Sequence, residues 1–537
     1  MSSGTDEAGG SRWNATAARV MLRRHWLFAL LFTLGVLLRV LAQVAYQPAI
    51  LYLDSPFYLR NAYWLNPGGW NPLGYSLVVR VLLEGFHDLA ALAAFNHLLG
   101  LGMAGLIYAV LLRRGVRPWM AALATGPVLL DGFQLLIEQM VMSDPLLEFF
   151  VVLGIALLLW RRRPDPVTAS AAGLSFACAA LTRYVGQSLV VAGLLFCVLA
   201  AGRPIARRAV VAAALIVGFA VPMVGYAAYN DQVRGTFAVH PQAVSERLYA
   251  QVAVSTCSRL ALPAYERPLC PPPGTVRPQA RSLIVGYAQG STSPLKSYHP
   301  PPGQTKSQVL RDFVSRAVRQ QPLAVARSVS GTLLRPFLSW NRDRKPGELK
   351  TARWFFQARF PMFSRLSPML FRHWVGHRPV ANHELARLLR SYQRYLGYTP
   401  GLVLLACVVV ALAAGLGVGR ARHSGQQLAC LLWLTAGFGL LFSAALYLFS
   451  WRYQLPALVT IPPAAALGLS ALTSPRAARE PPATPEPAGP DDPASAAPDD
   501  QAASQHRAPV ESVEGTTNAH EPDRLNPAQG STPPAST

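Results

Sequence analysis

Residues 26–75 read WLFALLFTLGVLLRVLAQVAYQPAILYLDSPFYLRNAYWLNPGGWNPLGY. The first part, Trp26 to Tyr46, is apolar over the roughly 20 residues that a helix needs to cross about 30 Å of hydrocarbon. The second part, Leu53 to Tyr75, isolates one carboxylate, Asp54, ahead of Ser55-Pro56. Phe57, Tyr58, Tyr63, Trp64 and Trp70 follow it, aromatic residues suited to a membrane interface. Pro72-Leu73-Gly74-Tyr75 then breaks the chain before the next apolar run. A spanning helix followed by an interfacial acidic bend sets the pattern for what comes after.

Trp26–Tyr46 also has the outline of a signal peptide, with Val40-Leu41-Ala42 as a passable cleavage site. Its apolar stretch is long for that role and further spans follow, so an uncleaved helix is expected. Additional spans are expected near 89–112, 118–136, 145–160, 168–182, 185–201, 209–229, 399–418, 428–449 and 456–472. With 51% hydrophobic and 14% charged residues, the composition is that of a polytopic membrane protein and not of a soluble domain. The net charge of +22 raises the question of nucleic acid, but no binding motif accompanies it. Its arginines cluster at Arg23-Arg24, Arg113-Arg114 with Arg117, Arg161-Arg162-Arg163, Arg203 with Arg207-Arg208, Arg420 with Arg422, and Arg476 with Arg479. If there are ten spans, these clusters fall in alternate connections, which is the positive-inside pattern of cytoplasmic loops.

The expected fold class is therefore all-α and polytopic, with about ten transmembrane helices and a large extracytoplasmic region. Residues 1–25 are expected to be a disordered cytoplasmic N-terminus, 26–229 an N-terminal transmembrane module, and 399–472 the C-terminal transmembrane helices. Residues 473–537 form a Pro/Ala/Asp/Glu/Ser-rich cytoplasmic tail with too little apolar surface to fold. The region 230–398 is too long for a plain loop. Within it, Leu310, Phe313, Val314, Ala317 and Val318 have helical spacing, and residues 383–393 offer a second amphipathic helix. Cys257 and Cys270 share this region, where a disulfide is allowed if the region is extracytoplasmic. The short fifth and sixth spans meet at Thr182-Arg183-Tyr184 and are expected to be partly re-entrant around a polar cavity.

Five connections then reach the outer side, and the residues with chemistry sit in them. Asp54 lies one position outside Ser55, the expected helix cap before Pro56, and is left free for function. In Ser143-Asp144-Pro145, Asp144 is the natural cap and also a candidate acid, beside a helix N-terminus that favours phosphate. Glu138 is an ionisable residue near membrane depth, and so a candidate by default, although a surface position explains it nearly as well. Arg183 and Arg452, each between two apolar segments, suit a lipid phosphate because guanidinium presents a planar donor fork, with interfacial snorkelling as the plain alternative. Tyr58, Tyr184 and Tyr453 neighbour these groups. Arg39 and His97 are expected to serve helix packing, and Lys296, Lys306, Lys345 and Lys350 a solvated face.

Taken together, Asp54, the Asn71-Pro72-Leu73-Gly74-Tyr75-Ser76-Leu77 break, the Glu138…Ser143-Asp144-Pro145-Leu146 turn and the Arg452-Tyr453-Gln454-Leu455-Pro456 element resemble the membrane glycosyltransferases of the GT-C type. The likeness is to the polyprenyl-phosphate-dependent branch that includes protein O-mannosyltransferases and the lipid A aminoarabinose transferase. It implies inverting transfer of a hexosyl or pentosyl group from a polyprenyl-phosphate-linked donor, on the extracytoplasmic face of the cell membrane. Asp54 matches the first-loop catalytic aspartate, Asp144 the second-loop acid, and Arg183 the donor-phosphate position, with Arg452 as a second donor cation. Many protein O-mannosyltransferases carry Asp-Glu in the first loop, where this chain has Asp54-Ser55. The acceptor (glycan, lipid or protein) stays open, as does whether a divalent metal joins Asp54 and Asp144. Rival readings are a lipid-linked sugar transporter or flippase, and a non-enzymatic envelope assembly protein.

Overall fold

The computed structural model describes residues 7–67, 71–239, 248–249, 251–253, 256–271, 293–338, 354–361, 368–374, 379–447 and 451–473. Trp70, Lys345, Lys350 and the tail after 473 lie outside the described residues. The chain runs through α1 (Glu7–Ala45), α2 (Ser55–Trp64), α3 (Gly74–Phe86), α4 (Leu89–Arg113) and α5 (Pro118–Leu130). It continues through α6 (Gly132–Glu138), α7 (Asp144–Leu159), α8 (Pro166–Thr182), α9 (Leu189–Ala200) and α10 (Ile205–Arg234). After the 230–398 region come Gly401–Gly415, Gln427–Ala445 and Leu455–Thr473. A two-residue antiparallel pair, Tyr46–Gln47 with Val380–Ala381, ties the end of α1 to the 230–398 region.

Each expected span position holds a helix. Among the described residues, five helices are long and apolar enough to cross a membrane, or six if α5 and α6 count as one span bent by 53°. The bend has a local cause: Asp131 caps α6 by accepting from the Phe133 amide at 2.8 Å, and its other oxygen accepts from the Thr399 amide at 2.9 Å. Other helices fall short. α7 has 16 residues, about 24 Å at 1.5 Å per residue, and Gly401–Gly415 has 15. α8 and the Tyr184–Ala200 segment, expected to be short, are also below spanning length.

The N-terminal boundary differs from expectation, because α1 begins at Glu7 and not near Trp26. Ala15, Ala17 and Ala18 favour helix, and lengthening an existing helix avoids the cost of nucleating a new one. The outward faces of α1 (Leu30, Leu34, Leu37, Val40, Val44) and α10 (Val210, Val217, Val221, Val224) stay exposed, as a lipid-facing surface requires.

Packing between α8 and α10 is close. A Cβ on Gly173 would lie 2.1 Å from the Leu215 carbonyl oxygen, and one on Gly218 would lie 2.1 Å from the Ser170 carbonyl oxygen. Small residues let two backbones meet where lipid supplies no hydrophobic drive for helix pairing. Alternate connections gather at opposite ends of the bundle. At one end, Gln426 donates to the Arg114 carbonyl at 2.6 Å, and Arg163 lies beside Gly202. At the other end lie Asp54, Asp144, Arg183 and Arg452.

Within 230–398, Lys306–Gln320 starts with a reciprocal Thr305–Gln308 capping box. It buries Val309, Leu310, Phe313, Val314 and Ala317, while Val318 is exposed because it falls at the edge of that stripe. Its apolar face packs on Tyr249, Leu269 and Val325 and makes a small core of its own. Cys257 and Cys270 beside it form a disulfide. His383–Tyr395 packs on the ends of α1 and α6, with Gln393 bonded to the Phe356 amide and the Trp354 carbonyl.

Replacing Gly218 with leucine is expected to destabilise the α8–α10 contact by about 1–3 kcal/mol. Gly225→Leu, on the same helix with nothing within 4 Å of its added Cβ, is the control. Monodisperse protein remaining after graded heating in detergent reports both, and equal losses would remove the close-approach explanation.

Candidate active site

The acidic end of the bundle is built from four loop-to-helix junctions. Asp54 occupies the position before α2 but makes no side-chain capping bond. Ser55, expected as the cap, is the first helical residue instead: its hydroxyl accepts from the Tyr52 amide at 2.7 Å and donates to the Val141 carbonyl at 2.9 Å. It thereby pins the first bend to the turn ahead of α7, and the Asp54 carboxylate is left to point elsewhere. The roles also shift in the second turn. Ser143 takes the cap position and Asp144 the first helical position, again without a side-chain cap.

Both carboxylates meet Arg452. Its Nη1 donates to Asp54 Oδ2 at 2.5 Å, and its Nε donates to both Asp144 oxygens at 2.9 Å. Arg183 Nη1 donates to Asp144 Oδ1 at 2.8 Å. The four expected residues Asp54, Asp144, Arg183 and Arg452 therefore form one connected cluster. Asp144, Arg183 and Arg452 are buried, whereas the Asp54 side chain is 36% exposed. Two acids and two guanidiniums balance in charge, which makes their burial tolerable. Arg452 Nη2 is buried without a hydrogen-bond partner among the described residues. A buried donor in that state is costly, and an arriving anion would satisfy it.

The tyrosines frame this cluster. The Arg183 guanidinium lies 5.7 Å from the centre of the Tyr453 ring, a cation–π contact that steadies it. Tyr58 is fully buried, its hydroxyl 2.7 Å from Ser143 Oγ and its ring edge-on to Tyr75. Burial pushes the Tyr58 phenol above its ordinary value against the opposing pull of Arg452, so it acts as a neutral hydrogen-bonding group. Tyr184 opens the short turn after Arg183 and is buried.

Glu138 joins a different cluster. It is wholly buried, paired with Arg39 at 2.9 Å and with His97 Nδ1 at 2.9 Å. His97 Nε2 lies 2.8 Å from Gln139 Oε1, and Arg39 also donates to the Val128 and Leu129 carbonyls. Glu138 is neither a surface residue nor a member of the Asp54–Arg452 cluster, because Arg39 and His97 hold it inside the helix packing. Glu148, one turn beyond Asp144 and not among the sequence candidates, is buried and accepts from Gln134 at 2.9 Å. Its signal was available as an acid inside the apolar run Leu146-Leu147-Glu148-Phe149-Phe150.

The donor set does not suit a divalent metal between Asp54 and Asp144. The Arg452 guanidinium stands between those carboxylates, and no group of three or more His, Cys, Asp or Glu side chains among the described residues is arranged to hold a metal ion.

Residues 83–240 match the family profile described as dolichyl-phosphate-mannose-protein mannosyltransferase. The GT-C resemblance expected from the sequence holds for that segment, which contains Asp144 and Arg183; Asp54 and Arg452 lie outside it. Sequence comparison with characterised proteins finds no match. Among solved structures, the Archaeoglobus fulgidus oligosaccharyltransferase in the apo form is 14% identical with a TM-score of 0.42, covering 84% of this chain and 50% of its own. The A. fulgidus oligosaccharyltransferase AglB in complex with an inhibitory peptide and a dolichol-phosphate is 12% identical with a TM-score of 0.40, at the same coverage. ArnT from Cupriavidus metallidurans bound to undecaprenyl phosphate is 13% identical with a TM-score of 0.32, covering 82% of this chain and 78% of its own. This chain spans half the length of the archaeal structures it matches.

Asp144→Asn and Arg452→Gln are each expected to destabilise the protein by about 3–5 kcal/mol, since each strands a buried charge. The double variant should lose clearly less than the sum of the two, with a coupling of about 0.5–3 kcal/mol. Thermal unfolding of all four proteins in one detergent measures this, and strict additivity would contradict the contact.

Proposed function

We propose that this chain is an inverting membrane glycosyltransferase that moves a sugar from a polyprenyl-phosphate donor to an acceptor hydroxyl on the extracytoplasmic side. The observation that carries it is Arg452, held between Asp54 and Asp144 with Nη2 unpartnered among the described residues, beside Arg183 at the acid-bearing end of an apolar bundle. The mannosyltransferase-type match over residues 83–240 supports the same class. The arginine clusters at the opposite end support an extracytoplasmic site through the positive-inside rule.

The roles follow from the bonds exchanged. The acceptor oxygen attacks the anomeric carbon as the bond from that carbon to the donor phosphate oxygen breaks, and the acceptor proton passes to Asp54. Asp54 suits this task because it is the half-open member of the cluster. The departing polyprenyl phosphate gains negative charge as it leaves, and fixed donors aimed at that charge supply the larger catalytic term. Arg452 Nη2 and Arg183 are those donors. Asp144 binds both guanidiniums and holds them in place without meeting the acceptor. Tyr58 braces the Asp144 turn through Ser143.

Asp54→Asn keeps the shape of the site and removes the base. Transfer in membranes supplied with a polyprenyl-phosphate-linked sugar should fall by about 10²–10⁴-fold. Arg183→Gln should slow transfer as well, by weakening stabilisation of the leaving group. A folded Asp54→Asn protein that transfers sugar at the wild-type rate would end the base assignment, and wild-type protein with no transfer from any such donor would end the enzyme reading.

A further inference from the structure

A hollow of about 360 Å³ lies at the end of the bundle away from Asp54, lined by Arg113, Arg114, Leu159, Trp160, Arg161 and Arg162. Two connections build it, the one after α4 and the one after α7. The 16 residues of α7 separate Trp160 from Asp144 by about 24 Å, close to a bilayer core away from the transfer site. The hollow plays no part in the transfer chemistry.

Its charge exceeds what the fold needs. Helix C-termini each carry about half a negative charge, so the ends of α4 and α7 account for roughly one of the four guanidiniums. Asp165 answers another, pairing with Arg161 at 3.3 Å. A surplus of about two positive charges remains by this count. Arg113 is laid over the Trp160 ring, 4.9 Å from its centre, and donates to the Trp160 carbonyl. Arg114 is tethered in place by Gln426, whose side chain both donates to the Arg114 carbonyl and accepts from its Nε. Burial, with the neighbouring Arg162 charge, holds the Arg114 guanidinium below the usual arginine range. The Arg114 and Arg162 guanidiniums are thus crowded together. Of the two apolar residues in the lining, Leu159 is buried and Trp160 is 41% exposed. An indole in that position suits the level where head groups meet acyl chains.

We propose that this hollow binds the phosphate head group of an anionic phospholipid from the leaflet at that end, with its acyl chains against the exposed Trp160 ring. The guanidinium forks match phosphate oxygens, and the apolar lining distinguishes a lipid from a free anion. The site is independent of the transfer reading and stands or falls without it.

The test uses the full chain in nanodiscs of equal phosphatidylglycerol and phosphatidylcholine, transferred to detergent, with retained lipid counted by native mass spectrometry. Wild type should retain phosphatidylglycerol in preference to phosphatidylcholine. R114Q/R162Q should reduce that retention at least tenfold. R203Q/R207Q, which removes equal charge from another arginine cluster, should leave it within about twofold of wild type; the tenfold loss corresponds to about 1.4 kcal/mol. Thermal melts of both variants without added lipid confirm folding. Equal loss in both variants would reduce the effect to general surface charge and overturn the site. Wild-type retention in R114Q/R162Q, equal retention of the two lipids, or displacement of the lipid by millimolar inorganic phosphate would each overturn it too.

Discussion

One buried guanidinium holds this molecule's two halves in register. Arg452, at the start of the last helix, bonds Asp54 in the first bend, 398 residues earlier in the chain, and Asp144 at the start of α7. In a low-dielectric interior such a charge is tolerable only with its partners in place, so the contact constrains three loops at once. Arg183 closes the set through Asp144. The same demand for neutrality that shapes the fold also sets Arg452 Nη2, unpartnered among the described residues, beside the partly exposed Asp54. Structural and chemical roles here come from one requirement.

The cluster rests on a second buried network. Glu138 is neutralised by Arg39 and hydrogen-bonded to His97, and Gln139 bonds both His97 and the Tyr46 carbonyl. Ile50 pairs with Met140 in the same stretch. The segment from Glu138 to Ser143 is therefore tied on one side to α1 and α4 and on the other, through Ser55 and Tyr58, to the first bend. This explains how an irregular turn is kept rigid at an end of the bundle where side chains must be placed closely. Irregular backbone near a membrane persists when protein groups satisfy it.

Much of this was legible beforehand. Asp54, Asp144, Arg183 and Arg452 stand out because charges are rare beside apolar spans and each sits at a break between them. The amphipathic stretches at 306–320 and 383–395 declare themselves by period alone. Other features were not readable. Which of Ser55 and Asp54, or Ser143 and Asp144, takes the first helical position depends on a partner hundreds of residues away, because a capping bond worth about 1 kcal/mol yields to pairing of a buried charge. Glu138 looked like a neighbour of the site, yet its surroundings are set by Arg39 and His97 on other helices.

From the amino-acid order alone came the all-α class, the run of apolar segments, the alternation of arginine clusters, and the short list of charged residues between spans. These are local properties: helix period, transfer free energy and charge bias act over one turn or one bilayer thickness. Only the folded chain decided that Arg452 lies between the two aspartates, that Glu138 turns inward to Arg39, and that Cys257 closes on Cys270. Those pairings join residues far apart in sequence. What selects them is the cost of leaving a charge alone in the interior, which depends on the arrangement of all the helices together.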